Sequence, residues 1–175
     1  GKFPQINFQQ VFLDVSDPVL DPITITVSFK LAHDVLPVAY RLHLYNMPVN
    51  KWCSLCKKEV ETIEHLFYFC PIVQLCKKSL ARWFKDIENL GISLECVRFS
   101  TFNQQVSRLN RKLLLLLLSE FRFAIWQCRN KARFDKKVIR DTDIAAYLLG
   151  RVRTRILADF QRMTTFDFVH FWLHD

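Results

Sequence analysis

Glycine is nearly missing, with 3 in 175 residues, while 16 are phenylalanine and half of the chain is apolar. Tight turns and left-handed backbone draw on glycine, so this balance excludes a turn-rich β-protein and favours closely packed helices. No apolar run reaches the roughly 18 residues needed to cross a bilayer. The most apolar one, Leu113 to Leu118, gives way to Ser119, Glu120 and Arg122. Residues 1–25 lack the basic start, apolar stretch and small-residue cleavage site of a secretory signal. The chain begins at Gly1 rather than methionine and so reads as an excised or processed piece.

Charge is unevenly spread. Residues 1–96 hold 10 Lys/Arg and 10 Asp/Glu, whereas residues 97–175 hold 15 and 7, so the second half carries the whole net charge of +8. A polyanionic partner is expected to meet that half. Six cysteines without a secretory signal point to a reducing compartment, where clustered cysteines bind metal more often than they form disulfides. Cys53, Cys56 and Cys70 cluster with a histidine; Cys76, Cys96 and Cys128 lie on apolar stretches and read as buried thiols.

Residues 1–27 read as an opening segment, partly extended: Asp17-Pro18 and Asp21-Pro22 are turn signals, and Ile23 to Val27 alternates like a short strand. Residues 28–90 read as a Cys/His region with flanking helices, beginning with two short helices broken near Pro37. Val73, Cys76, Leu80 and Phe84 form a helical stripe that Gly91 would end. Residues 91–175 read as a basic helical region packed on it. The longest helix, opened by Asn103 or Ser107, runs to about Asp135, and the next, capped by Asp141 or Thr142, carries Ile144, Leu148, Val152, Ile156 and Phe160. A short aromatic helix, about Phe166 to Leu173, closes the chain.

The cluster has the spacing C-x2-C-x8-H-x4-C. Three thiolates and one imidazole, Cys53, Cys56, His65 and Cys70, complete the tetrahedral shell of one structural Zn2+ and leave no position for a catalytic water. Thr62 can cap a helix from Ile63, with Glu61 and Glu64 near its positive end. Cys70 lies five residues beyond His65, about 140° further around an ideal helix. Pro71 takes Cys70 out of that helix and suits the first position of the next.

In order, these motifs resemble the zinc-binding region downstream of the reverse transcriptase domain in non-LTR (LINE-type) retrotransposon polyproteins. The matches are Phe29, Lys30, Leu31, His33, Leu36 and Pro37; then Cys53, Leu55 and Cys56; then Glu61, Thr62, His65, Leu66, Phe67 and Cys70. Phe123 to Phe134, FAIWQCRNKARF, is similar to a stretch that often follows in that family. Ser54 stands where proline is usual, and Lys77 where tryptophan is frequent; neither is a ligand.

The resemblance implies a fragment of a protein that copies RNA into DNA, intracellular and nuclear with a cytoplasmic ribonucleoprotein phase. This region would grip template RNA or target DNA, with the rest of the polypeptide as a further partner. The fragment itself is expected to be non-catalytic: no Y/F-A-D-D motif occurs, and Arg140 to Asp143 reads as a helix cap.

At residue level, Arg122, Arg129, Arg133, Lys136 and Arg140 share one side of a helix, and Arg111, Lys112 and Lys137 are further candidate contacts. Arg151, Arg155 and Arg162 repeat the stripe on the next helix. Charge reversal at Arg129, Arg133 and Arg140 is therefore expected to abolish nucleic-acid binding without unfolding. The rival expectation is a protein-interaction module of a domesticated, retrotransposon-derived host protein, using the aromatic and leucine-rich surface; a zinc-dependent enzyme is a weaker third. His33, His43, His170 and His174 read as structural histidines, and the aromatics Trp126, Phe134, Phe166, Phe168, Phe171 and Trp172 as packing groups rather than base-stacking ones. The overall expectation is a mainly α protein with an embedded Cys3His zinc knuckle.

Overall fold

The computed structural model of the protein describes residues 5–81, 92–102 and 108–173. These are mainly helical and contain no strand. The helices are α1 (Phe8–Val15), α2 (Pro22–Ala32), α3 (Ala39–Leu44), α4 (Pro71–Ala81), α5 (Leu94–Phe99), α6 (Arg108–Phe134), α7 (Asp141–Arg162) and α8 (Thr165–Trp172), with a π-helical turn, His65–Phe69, before α4. Gly91, Phe84, His174 and the opening of α6 at Asn103 or Ser107 lie outside the described residues.

The expected strand at Ile23 to Val27 is instead the first half of α2. Pro22 occupies the start of this helix, where its missing N–H costs nothing. Thr24, Val27, Ser28 and Leu31 are buried at helical spacing. The alternation of β-branched residues suggests a strand, but a helix places this set on one face against α6, and packing outweighs a propensity difference of tenths of a kcal/mol per residue. The expected break near Pro37 holds: α2 ends at Ala32 and α3 begins at Ala39.

Helix α6 is the axis of the molecule. It packs on α2, α7 and α8 and touches α1 and the π-turn. Its leucine run is accordingly buried nearly all round, with Leu115 and Leu116 inside, as expected of a helix with neighbours on every side. The main core joins Ile125, Cys128 and Ala132 of α6 to Val27 and Leu31 of α2, Leu66 and Phe67 of the π-turn, Val73 and Cys76 of α4, and Ile144, Leu148 and Val152 of α7. Leu20, Leu115, Leu116 and Phe171 form a second cluster that fixes α8.

Helix α7 starts one residue earlier than expected. The N-cap position is Arg140, whose backbone N–H donates to the Asp143 carboxylate at 2.8 Å. The stripe expected along it is buried at Ile144, Leu148 and Val152 but reaches solvent at Phe160. Cys76, Cys96 and Cys128 are buried thiols.

Candidate metal centre and basic surface

Residues 51–61 form a small hairpin. Cys53 N–H donates to Glu59 O at 2.7 Å, Glu61 N–H to Lys51 O at 2.9 Å, and Trp52 bridges Val60. At its tip Lys57 adopts φ 61°, which lets its N–H close on Cys53 O at 2.9 Å and turns Cys53 and Cys56 towards one point. The other two donors come from the next element. Thr62 Oγ1 accepts from the His65 N–H at 3.1 Å, so the expected cap is present.

The five-residue step from His65 to Cys70 is met in two ways. The chain winds as a π-turn, with the Cys70 N–H donating to His65 O at 2.6 Å, so a residue five positions on returns to the side of His65. Cys70 then leaves the helix at ψ 125° and Pro71 opens α4, as the proline rule requires.

The four donor atoms of Cys53, Cys56, His65 and Cys70 all lie within 4.8 Å of one another. Cys53 Sγ is 4.0 Å from Cys70 Sγ, and Cys56 Sγ is 3.3 Å from His65 Nε2. A tetrahedral zinc with bonds of about 2.0–2.3 Å needs edges of roughly 3.5–3.8 Å, so the donor set fits. The groups also shift one another's titration: contact with Cys70 and burial push the Cys53 thiol up to about 12. The same contact draws Cys70 below its ordinary value against the effect of burial. Hydrogen bonding to Cys53 raises His65, again against burial. Three sulfurs and one nitrogen form a closed shell, which suits a structural ion.

A comparison with known families finds a similarity in this segment. Residues 22–76 match the family described as zinc-binding in reverse transcriptase. No curated protein and no solved structure matches the chain. The matched segment runs from the start of α2 through Cys76 in α4, so it contains all four candidate ligands, α2, α3 and the first half of α4. The match is to a zinc-binding family and not to a polymerase.

Glu61 joins the zinc-binding segment to the rest of the molecule. Fully buried, its Oε1 accepts from Arg129 Nε at 3.0 Å, Arg129 Nη2 at 2.5 Å and Ala39 N at 2.8 Å, and its Oε2 from Ser54 N at 2.9 Å. Burial alone would raise this carboxyl, but the Arg129 guanidinium and the two amides outweigh it and hold it below its ordinary value. Glu64, expected beside the same helix end, pairs instead with Arg98 at 2.7 Å.

The expected basic stripe is largely taken up by the fold. Arg122 and Arg129 are both 1% exposed, so neither can meet a phosphate, which corrects their reading as contact residues. Arg122 donates to the carbonyls of Val97 at 2.7 Å and Cys96 at 3.2 Å and to Ser100 Oγ at 2.8 Å, closing the C-terminal end of α5, where a cation also meets the negative end of the helix dipole. Burial pushes its pKa down to about 10, which still leaves it charged at neutral pH. A signal for this was present: residues 113–128 contain only two charges, Glu120 and Arg122. A helix that apolar is buried, and its few charges need partners inside.

Others are paired at the rim. Arg111 bonds Asp14, Arg151 reaches Glu120 and Asp21, and Arg155 grips Asp159 through Nε at 2.9 Å. Arg151, Arg155 and Arg162 line an open groove of about 760 Å³ between the Pro18–Asp21 turn and α7, where Asp21 and Asp159 offset much of their charge. Lys112 is half-buried, while Lys136, Lys137, Arg140 and Arg162 are exposed. Arg133 links the two regions, donating to Ser54 Oγ and to Asn50 O, each at 3.2 Å.

This clamp seats the end of α6 on the zinc hairpin and adds exposed Lys51, Lys57 and Lys58 to the basic set. They come from the half of the chain with no net charge, so counting by halves overlooked them. Residues 50–60 and 130–140 together hold eight cations and two acids, Glu59 and Asp135. No helix among the described residues is long and apolar enough to cross a membrane.

Proposed function

We propose that the chain is a non-catalytic, zinc-stabilised nucleic-acid-binding module of a non-LTR retrotransposon reverse transcriptase, holding template RNA or target DNA during target-primed reverse transcription. Such a role is nuclear, with a cytoplasmic ribonucleoprotein phase. The observation that carries this reading is the basic surface formed where Arg133 fastens the end of α6 to the zinc hairpin. Exposed lysines and arginines with few acids among them favour a phosphate backbone, and binding to one releases counterions.

The test is binding of a fluorescent RNA and a fluorescent DNA by the zinc-loaded chain between 50 and 200 mM salt. With about four phosphates neutralised, affinity for a single strand should fall about fifty-fold over that range. An affinity unchanged by salt, or no binding at all, would exclude the reading.

A second reading has its own support. Phe8, Phe12 and Phe29 are each partly exposed, and His33 lies between the last two, 4.7 Å from the Phe12 ring and 4.0 Å from Phe29. An aromatic surface on α1 and α2 suits a protein partner, either the polymerase part of the same polypeptide or a host protein.

A further inference from the structure

Tryptophan is costly to leave in water, yet Trp52 is 44% exposed. Its backbone is nonetheless held within the hairpin, bridging Val60. The Trp52 N–H donates to Asn50 Oδ1 at 3.0 Å, its neighbours Lys51 and Cys53 are bonded across to Glu61 and Glu59, and the next residue is a metal-ligand candidate. The ring is thus held outward by a rigid frame, with the Lys51 ammonium 5.7 Å from its centroid. On the same hairpin Lys57 and Lys58 are exposed, and the Arg133 clamp brings up the chain carrying exposed Lys136 and Lys137. Acids in the two stretches are confined to Glu59 and Asp135.

We infer that the zinc hairpin is a single-strand contact: Trp52 stacks on an unpaired base, while Lys51, Lys57, Lys58, Lys136 and Lys137 hold the flanking phosphates. The inference rests on the nucleic-acid reading above and narrows it to a strand class and a residue. A preorganised aromatic face among cations is the arrangement by which proteins bind single strands without reading sequence. Bases inside a duplex are already stacked on each other and present no free face, so duplex binding can use the lysines but not the ring. The metal's part is to hold the hairpin that carries the ring.

The experiment measures anisotropy of a labelled oligouridylate and of a labelled duplex of equal length with the zinc-loaded full chain. The wild type should prefer the single strand. Trp52→Ala should weaken single-strand binding about tenfold and leave duplex binding unchanged, and Trp52→Phe, which keeps a ring, should retain most of the affinity. Zinc content should stay at one per chain in both.

Should Trp52→Ala lose zinc, the decision passes to Trp52→Phe and to Lys57→Gly with Lys58→Gln. The glycine suits the left-handed backbone at position 57, so the turn survives while two charges are removed. That pair should lower single-strand affinity and flatten its salt dependence, with Trp52→Phe close to wild type. Single-strand binding indifferent to Trp52→Ala, or lost equally for both probes, overturns the stacking inference and leaves the nucleic-acid reading standing. A wild type that binds neither probe overturns both.

Discussion

At the scale of residues, the molecule is decided by a few buried charges. Glu61 and Arg129 sit in the core with their bonds satisfied, and breaking such a pair leaves one charge unpaired in a poor dielectric. Glu61→Gln or Arg129→Met should therefore each cost about 3–5 kcal/mol in urea unfolding. Arg129→Lys should not rescue, because an ammonium lacks the fork that holds Glu61 while reaching Pro37 O. Arg122→Met should cost about 3 kcal/mol, since the Cys96 and Val97 carbonyls lose their donors.

The pH dependence follows from Glu61. Its folded pKa lies below the ordinary value of 4.5, so its contribution is complete above about pH 4.5 and is lost as pH falls through the folded value. Metal ligands add to this on the acid side, because cysteines must be deprotonated to hold zinc. An acid titration followed by circular dichroism should show stability falling below about pH 5, with zinc released alongside. Arg122 and Arg129 look like part of an exposed stripe in the sequence because spacing along one helix shows which residues share a side, but not whether that side faces water.

At the scale of elements, the zinc-binding segment is a hairpin and a π-turn that meet at four ligands. Chelation, or Cys56→Ser, should destabilise the chain by several kcal/mol and lower Tm by roughly 10 °C, read by calorimetry. The π-turn makes a sharper prediction. Deleting the exposed Phe69 shortens the step from His65 to the cysteine to four residues, an offset of about 40° on an ordinary α-helix, and zinc should still bind. Inserting one residue makes the offset about 240°, and zinc should be lost; metal content per chain distinguishes the two.

Much of this element was legible. The ligand set, the Thr62 cap and the break at Pro71 follow from local rules that need no partner. The π-turn did not follow, since it exists to satisfy two ligands at once. Nor did α2, where Ile23 to Val27 read as a strand: local alternation was overruled by the face that α6 requires of it.

At the scale of the whole molecule, α6 divides the labour. From Leu113 to Ala132 it lines the core, and Arg133, next to its end, reaches the zinc hairpin. Reversal of Lys136, Lys137 and Arg140, all exposed, should weaken nucleic-acid binding and reduce its salt slope by about 2 while leaving Tm unchanged. Reversal at Arg129 should instead unfold the chain, so the triple Arg129, Arg133 and Arg140 would not separate binding from folding.

What the sequence by itself determined is what local chemistry determines. Scarce glycine and abundant phenylalanine meant helices, and three cysteines and a histidine at fixed spacing meant a closed metal shell. A proline after Cys70 meant a corner. Which charges face water was decided only by the tertiary structure, because burial depends on neighbours remote in the chain. Arg129 is neutralised by a glutamate 68 positions away, and three lysines of the first half, whose net charge is zero, join the basic end of α6 through the Arg133 clamp.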